Sequence, residues 1–331
     1  METETMKARA ARIERIGGPE VIQWVDVELG TPGEGEVLMR NTAVGLNYID
    51  AYHRSGLYPV DLPAGLGSEA VGVVEAVGPG VTNVKPGDRV GTFGPTRGAY
   101  ATARIVPAKE LIPLPDDVDD RTAAALLLKG GTTEFLVDRC AKVQPGQTAL
   151  VWAAAGGVGH LLVGWLKPRG ATVIGIAGGA EKGADAKRAG ADHVLDHHND
   201  DIAARVREIT DGIGVDVVFD GVGTASWEAS LKSAKRRGLI VSFGNASGAV
   251  TGVNLGTLSS HGSLFVTRPT MFDYYVTPEE RAAGFDAVFG MLRDGHIRPE
   301  IGQTFALEDA AEAHRAMEAG ETRGSTVLIP E

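Results

Sequence analysis

Residues 148–182 read TALVWAAAGGVGHLLVGWLKPRGATVIGIAGGAEK, and this stretch constrains the fold more than any other. The apolar run 148–152 reads as a buried strand. The turn Ala154-Ala155-Gly156-Gly157-Val158-Gly159 follows it, and Leu161, Leu162, Trp165 and Leu166 continue with helical spacing. A second apolar run, 171–177, completes a strand–helix–strand unit, the building piece of a doubly wound parallel sheet. A helix start offers free amides to a pyrophosphate; Gly156 allows the backbone to approach it, and Gly159 allows the helix to lie close on the strand. Ala154 stands where the usual fingerprint has its first glycine, and Pro168 is expected to stop the helix early.

The end of the second strand carries the next step. An NAD site places Asp or Glu on the ribose 2′-hydroxyl about twenty residues after the glycine turn. Here the strand runs into Gly178-Gly179-Ala180-Glu181-Lys182, with no acid at the strand end. A carboxylate would repel a 2′-phosphate and Lys182 attracts it, so the sequence favours NADP(H) over NAD(H). His197, closing a third strand-like run, is a candidate second contact, whereas His198 is expected to face solvent.

Upstream of about residue 125 the chain has short β-branched runs, 36–41, 70–77, 89–93 and 101–106, separated by Pro-Gly pairs, which reads as a compact all-β unit. From Thr122 helix and strand alternate. Strands are expected at 149–152, 172–176, 193–196, 215–220, 239–243 and 264–267, giving an α/β fold with a six-stranded doubly wound parallel sheet. Two helices, 278–293 and 308–318, and a last strand, 325–329, would return the chain to the first unit. The expected division is 1–125 for the first part of the β unit, 126–268 for the nucleotide-binding unit and 269–331 for the return.

A chain of 331 residues accommodates two domains. A net charge of −11 argues against a nucleic-acid surface, which needs clustered Lys and Arg. The single cysteine, Cys140, excludes a disulfide framework and a four-cysteine zinc site, and it reads as a packed thiol rather than a nucleophile. The N-terminal METETMKARA has no apolar leader core, and no run approaches the length of a membrane span, so a cytoplasmic protein with no membrane partner is expected.

Several motifs together carry a family resemblance: Gly17-Gly18-Pro19-Glu20-Val21, Asn47-Tyr48-Ile49-Asp50, Arg54-Ser55-Gly56-Leu57-Tyr58-Pro59, Lys129-Gly130, the glycine turn, Arg236-Arg237-Gly238 and Phe243-Gly244-Asn245. The chain resembles the zinc-independent quinone oxidoreductases of the medium-chain dehydrogenase/reductase superfamily, the group that includes zeta-crystallin. The resemblance implies a Rossmann domain beside a GroES-like β-barrel catalytic domain, a homodimer, and NADPH-dependent reduction of a small quinone. Zinc members of the superfamily carry Cys or His early in the catalytic domain and a Gly-His-Glu motif; here Asn47 and Gly67-Ser68-Glu69 occupy those places. Glu69 therefore reads as a structural acid.

By the same resemblance a loop from Asn47 to Tyr52 lies beside the nicotinamide. Asn47, Tyr52, Arg54 and Tyr58 are the implied catalytic residues, with Arg54 and Tyr58 as donors to the quinone oxygens. The implied cofactor contacts are Asn47, Asp50, Lys129, Thr133, Gly156, Gly157, Val158, Gly178, Lys182, His197, Phe243, Gly244, Asn245, Arg268 and Arg323. For Asp50 a hydrogen-bonding role in a turn is favoured over proton transfer. Relatives often have Tyr where His197 stands and Arg where Gly320 stands, with Arg323 nearby here. A quinone accepts hydride without Lewis-acid help, so the protein needs to orient, exclude water and stabilise oxyanion charge. Two alternatives remain: an NADPH-dependent alkenal or enone reductase, and a nucleotide-binding protein with a structural or RNA-binding role, which the acidic balance disfavours. Dimerisation rests on the resemblance, and residues 247–261 are a suggestive subunit contact.

Overall fold

The computed structural model describes residues 5–331; the first four residues of the expected 1–125 segment lie outside the described residues. The chain divides into two compact units, one made of residues up to Leu128 together with Ile301–Glu331, the other Lys129–Glu300.

The first unit runs through β1 (Met6–Ile13), β2 (Gln23–Leu29), β3 (Glu36–Leu46), α1 (Tyr48–Ser55), β4 (Ala64–Gly65), β5 (Glu69–Val77), β6 (Arg89–Phe93), β7 (Ala103–Pro107) and β8 (Leu111–Pro113) to α2 (Asp120–Glu134). The chain continues in the second unit with β9 (Thr148–Val151), α3 (Gly157–Leu166), β10 (Thr172–Ala177), α4 (Gly179–Arg188), β11 (His193–Asp196), α5 (Ile202–Ile209) and β12 (Val215–Asp220). There follow α6 (Trp227–Ser233), β13 (Ala234–Ser242), α7 (Leu255–Ser260), β14 (Phe265–Thr267) and α8 (Pro278–Arg293). The return to the first unit brings β15 (Ile301–Ala306), α9 (Ala310–Glu318) and β16 (Ser325–Ile329).

The second unit holds the six-stranded sheet in the order β11-β10-β9-β12-β13-β14. Every neighbour pair in it is parallel, and the order reverses between β9 and β12. Helices cover a parallel sheet on both faces, so its strands read as continuous apolar runs, and Leu150, Ile174, Ile176, Val218 and Ile240 are fully buried. Helix α3 ends at Leu166, just before Pro168, as the sequence required.

The first unit is built from a seven-stranded sheet, β15-β16-β3-β5-β6-β8 with β7 on β3, and a three-stranded sheet, β2-β1-β4. The expected barrel appears as these two sheets, linked where Ala10 bridges Ala101 and the Ala11 amide donates to the Tyr100 carbonyl (2.7 Å). Strands β1, β2 and β15 went unassigned in the sequence. Each alternates buried or half-buried positions with exposed polar ones over a short length, which leaves no continuous apolar signal.

The unit boundary falls at Glu300, not at the 269 expected for the return. Residues after β14 are tied to the second unit: Tyr275 donates its hydroxyl to Glu134 (2.6 Å), with Gly131 O 3.0 Å from the same oxygen, and Arg139 donates to the carbonyls of Tyr274 and Glu280. Helix α8 begins where the sequence placed it because Pro278 follows an N-cap Thr277, whose hydroxyl accepts the Glu280 amide while Glu280 accepts the Thr277 amide.

Candidate active site

In the second unit the chain leaves β9 through a tight turn in which Ala153 adopts a left-handed conformation (φ 51°) and the Gly156 amide bonds the Ala153 carbonyl (2.8 Å). Gly156 is the N-cap of α3 and offers no side-chain cap, so the first amides of the helix are left to another acceptor. A Cβ on Gly159 would lie 2.1 Å from the Ala153 carbonyl oxygen, so helix and turn approach as closely as backbones can. The residues thus fit a pyrophosphate: an uncapped helix start, with Gly156, Gly157 and Val158 presenting backbone and little side chain.

A buried carboxylate that the sequence did not single out fixes this turn. Asp220, at the end of β12, accepts the hydroxyls of Ser226 and Ser230 (both 2.7 Å) and the amides of Val222 (2.9 Å) and Gly223 (3.1 Å). Ser230 in turn accepts the indole N–H of Trp152 (2.9 Å). Trp152, Ser230 and Asp220 thereby tie the glycine turn to the loop after the neighbouring strand.

At the end of β10, Gly178 is the N-cap of α4, and Lys182 lies in that helix. A Cβ on Gly178 would meet Nε2 of His197 at 2.7 Å and Nε2 of His198 at 2.8 Å. Both imidazoles therefore point at this backbone; His198, expected to face solvent, is exposed and yet turned to the same spot as His197. Burial and the neighbouring His198 push His197 below its ordinary pKa. Asp196, at the end of β11, also reaches this corner. It accepts the amides of Gly179 (3.1 Å) and His198 (3.0 Å), and these backbone bonds hold its pKa below the usual carboxylate range.

After β13, the Phe243 amide bonds the Asp220 carbonyl (2.8 Å), and a Cβ on Gly244 would lie 2.4 Å from the Gly221 carbonyl. Arg268 donates to the carbonyls of Ser242 (2.8 Å) and Gly244 (3.2 Å), and in the orientation that satisfies both groups Asn245 accepts from the same guanidinium (2.9 Å). Arg268 thus clamps the strand end carrying Phe243, Gly244 and Asn245. Thr133 turns its hydroxyl back to the Lys129 carbonyl (2.9 Å), one helical turn earlier, and both side chains are buried.

In the first unit the segment expected as a loop from Asn47 is the helix α1. Asp50 at its third position accepts the Asn47 amide (3.0 Å), one half of a capping box that the spacing Asn-x-x-Asp already contained. Asn47 donates its side-chain amide to Glu69 (2.8 Å), and Glu69 accepts the Leu128 amide with its other oxygen (2.7 Å). Tyr52 packs edge-on to Tyr58 with centroids 5.1 Å apart, and His53 lies 6.0 Å from Tyr58. Burial and the charge of Arg97 push His53 down to about 4, so it is neutral at physiological pH.

Two assignments change. Arg54 is no donor to a substrate oxygen: its side chain is 1% exposed and its guanidinium is paired with Glu318 of α9 at 2.5 Å. Asp50 is no cofactor contact either, since its carboxylate is fully buried and taken up by Asn47, Ser68 (2.7 Å) and Tyr100 (3.0 Å). Arg323 sits between α9 and β16, its amide donating to Gln303 (3.1 Å). Cys140 is half-buried, and burial raises its thiol pKa, which suits a packed thiol.

A parallel sheet with a glycine turn at its switch point, in a chain with an antiparallel β unit, defines a dinucleotide-dependent oxidoreductase. Comparison narrows the class. Residues 33–116 match the alcohol dehydrogenase GroES-like domain and 189–328 the zinc-binding dehydrogenase family. The chain is 48% identical over 324 residues to a quinone oxidoreductase of Pseudomonas aeruginosa, covering 98% of this chain and all of that one. It is 42% identical to a 2-haloacrylate reductase of Burkholderia, covering 97% of this chain and 99% of that one. The crystal structure of Escherichia coli quinone oxidoreductase complexed with NADPH superposes with a TM-score of 0.95 at 43% identity, covering 97% of this chain and all of that one. The chain belongs to the quinone oxidoreductase family of the medium-chain dehydrogenase/reductase superfamily.

Proposed function

We propose that this protein is an NADPH-dependent quinone oxidoreductase that reduces a small quinone without a metal ion. The observation that carries the cofactor is the corner at the end of β10, where Lys182 follows Glu181 on the first turn of α4, His197 and His198 converge on Gly178, and the strand-end carboxylate, Asp196, is engaged by backbone amides. A 2′-phosphate would find cation and imidazole at this strand end, where Asp196 is already taken up by backbone amides. Gly156, Gly157 and Val158 would hold the pyrophosphate, and the strand end with Phe243, Gly244 and Asn245, clamped by Arg268, would flank the nicotinamide side. When bound, NADPH supplies the hydride. The chain's own part is to hold the two reactants in place and exclude water.

For the quinone we propose Asn47, Tyr52 and Tyr58, and for the cofactor Lys129, Thr133 and Arg323 as further contacts. The aromatic edges of Tyr52 and Tyr58 suit a planar ring. The residues present do not fit a catalytic zinc: Asn47 and Ser68, at the positions of zinc ligands in relatives, donate hydrogen bonds to Glu69 and Asp50. Among the described residues no group of three or more His, Cys, Asp or Glu side chains is arranged to hold a metal ion. The 2-haloacrylate reductase relative supports a second reading, reduction of an activated alkene on the same scaffold. Following NADPH oxidation against benzoquinones, naphthoquinones and enones, in enzyme treated with a chelator, tests these together. Turnover of no quinone at all sinks the proposal, and faster turnover of an enone moves the assignment to the second reading.

The homodimer is part of the same proposal. Strand β14 ends the sheet with a free edge that carries Phe265 at 63% exposure and Val266 beside it, and Leu255 of α7 is 78% exposed. An apolar, unpaired edge is a template for another strand, and a second copy of β14 is the occupant it fits. Among the described residues no helix is long and apolar enough to cross a membrane. The single cysteine, with no disulfide framework of the secreted kind, supports a cytoplasmic site of action.

A further inference from the structure

The start of α1 is held from below by groups that the reading above leaves without a task. Asp50 Oδ2 accepts both the Asn47 amide and the Tyr100 hydroxyl, each at 3.0 Å. That same hydroxyl lies 3.0 Å from Nε2 of His314 on α9. Asp50, Tyr100 and His314 are all completely buried, and His314 Nδ1 is a buried nitrogen with no partner.

A tyrosine hydroxyl has one proton, so the three groups cannot be oriented independently. When Tyr100 donates to Asp50, His314 must donate from Nε2 to the Tyr100 oxygen, and its proton-free nitrogen is then Nδ1, the atom found without a donor or acceptor beside it. That arrangement belongs to an ionised Asp50. Protonation reverses every link: a proton arriving at Nδ1 releases the Nε2 proton to Tyr100, and the Tyr100 proton passes to Asp50 Oδ2. One proton enters and one carboxylate is neutralised, with only N–H and O–H bonds exchanged. Asp50 then becomes a weaker acceptor for the Asn47 amide.

We propose that Tyr100 and His314 are positioning residues for the reaction: the buried wire Asp50–Tyr100–His314 keeps Asp50 ionised, so that its carboxylate fixes the Asn47 end of α1, and the grip loosens when the wire takes up a proton. The proposal rests on the quinone oxidoreductase reading, in which Asn47 serves the substrate.

The surroundings place the changeover within reach of ordinary pH. Burial pushes Asp50 up to about 6 against the bonds from Ser68, Asn47 and Tyr100, and Glu69 of β5 pushes the same way as burial. Burial, with the charge of Arg54, pushes His314 down to about 3. His314 therefore passes a proton on without storing one. Burial and Asp50 hold Tyr100 well above its ordinary value. Arg54 of α1, paired with Glu318 of α9, is the cation facing this group.

The test is the pH dependence of quinone turnover from pH 5 to 9, together with the titration of the Asp50 carboxyl followed by its carbon-13 shift. Wild-type activity is expected to fall with a midpoint near pH 6. Tyr100→Phe removes a charge-assisted donor, so both midpoints move up by about one pH unit, which is about a fivefold loss at pH 6 and almost none at pH 8. His314→Gln keeps an N–H toward Tyr100 and holds the midpoint, whereas His314→Leu moves it up; this pair carries the test if Tyr100→Phe does not fold. NADPH affinity should be the same in all variants. Unmoved midpoints in well-folded Tyr100→Phe and His314→Leu overturn the wire. If the enzyme reduces no quinone, the carboxyl titration still decides the wire, so the two failures remain distinct.

Discussion

Gly159→Ala adds one methyl group at the point where α3 meets the turn after β9. The new Cβ would lie 2.1 Å from the Ala153 carbonyl oxygen, 2.8 Å from its carbon and 2.9 Å from Ala154 Cα, all backbone atoms that cannot rotate away. Relief requires helix and turn to separate by about 1 Å, a strain of the overpacking kind that costs roughly 1–3 kcal/mol. Alanine is the better helix former by about 1 kcal/mol, which offsets part of this. The net loss of stability should be up to about 2 kcal/mol. The amides that open α3 move by the same distance, and a hydrogen bond to a charged oxygen contributes about 1.5–3 kcal/mol, so the NADPH Kd should rise ten- to a hundredfold. Gly164→Ala is the control on the same helix. Its Cβ would lie 2.6 Å from the His296 carbonyl, away from the turn, so it should lower Tm and leave the Kd within about twofold. The assays are a thermal melt and a fluorescence titration with NADPH. If Gly159→Ala binds NADPH as wild type does at an unchanged or higher Tm, the close approach does not set the phosphate site.

Lys182→Ala should raise the NADPH Kd at least tenfold, from loss of a charge-assisted contact, and leave the NADH Kd within about twofold; equal effects on both cofactors would refute the 2′-phosphate assignment. Acid sensitivity should be set by opposed buried groups. His314 and His53 are held neutral, pushed down to about 3 and about 4, so below their ordinary 6.5 the unfolded chain binds protons that the fold refuses and stability falls. Asp50, raised from 3.8 to about 6, binds its proton first in the fold and so adds stability as pH falls through that window. Asp50→Asn should therefore lose about 2 kcal/mol more than wild type between pH 7 and 4.5 in urea unfolding, and parallel losses would contradict the sign. Phe265→Asp should convert the proposed β14-edge dimer to monomer in sedimentation while NADPH binding persists; an unchanged sedimentation coefficient would refute a subunit contact at this edge.

The second unit was legible in sequence because a strand buried on both faces is written as an apolar run, and five of its expected strands begin within a residue of their observed start. The exception is instructive: β13 begins at Ala234 rather than 239, because its first residues, Lys235, Arg236 and Arg237, are charged and lie where the pairing to β12 is irregular. In the first unit α1 was hidden by its shortness and by an apolar–polar order dominated by the family motif, although Asn47 and Asp50 stood at capping-box spacing. Burial was the quantity the sequence withheld from the site. Arg54 and Asp50 sit in a motif next to Tyr52 and Tyr58, and only the fold shows that both charged side chains are completely enclosed while Tyr58 is half-buried. Tyr100 and His314 carry no local signal at all, since their partners lie 50 and 214 residues away along the chain.

One device recurs at each of these corners. Asp220 under the glycine turn, Asp50 under α1, and Asp196 beside α4 all stand at the end of a strand or the start of a helix and accept backbone amides there. A carboxylate in that position satisfies the donors a helix start leaves open, and charged acceptors make the stronger bonds. Placing one beneath a binding loop fixes several amides at once, which a hydrophobic contact cannot do, because it has no preferred direction. The cost is desolvation of the charge, and it is expressed differently at Asp196 and Asp50. Asp196 is only half-buried and its backbone bonds lower its pKa, whereas Asp50 is sealed and its pKa rises despite three donors. The same kind of anchoring carboxylate is therefore harder to protonate beside α4 and easier to protonate under α1.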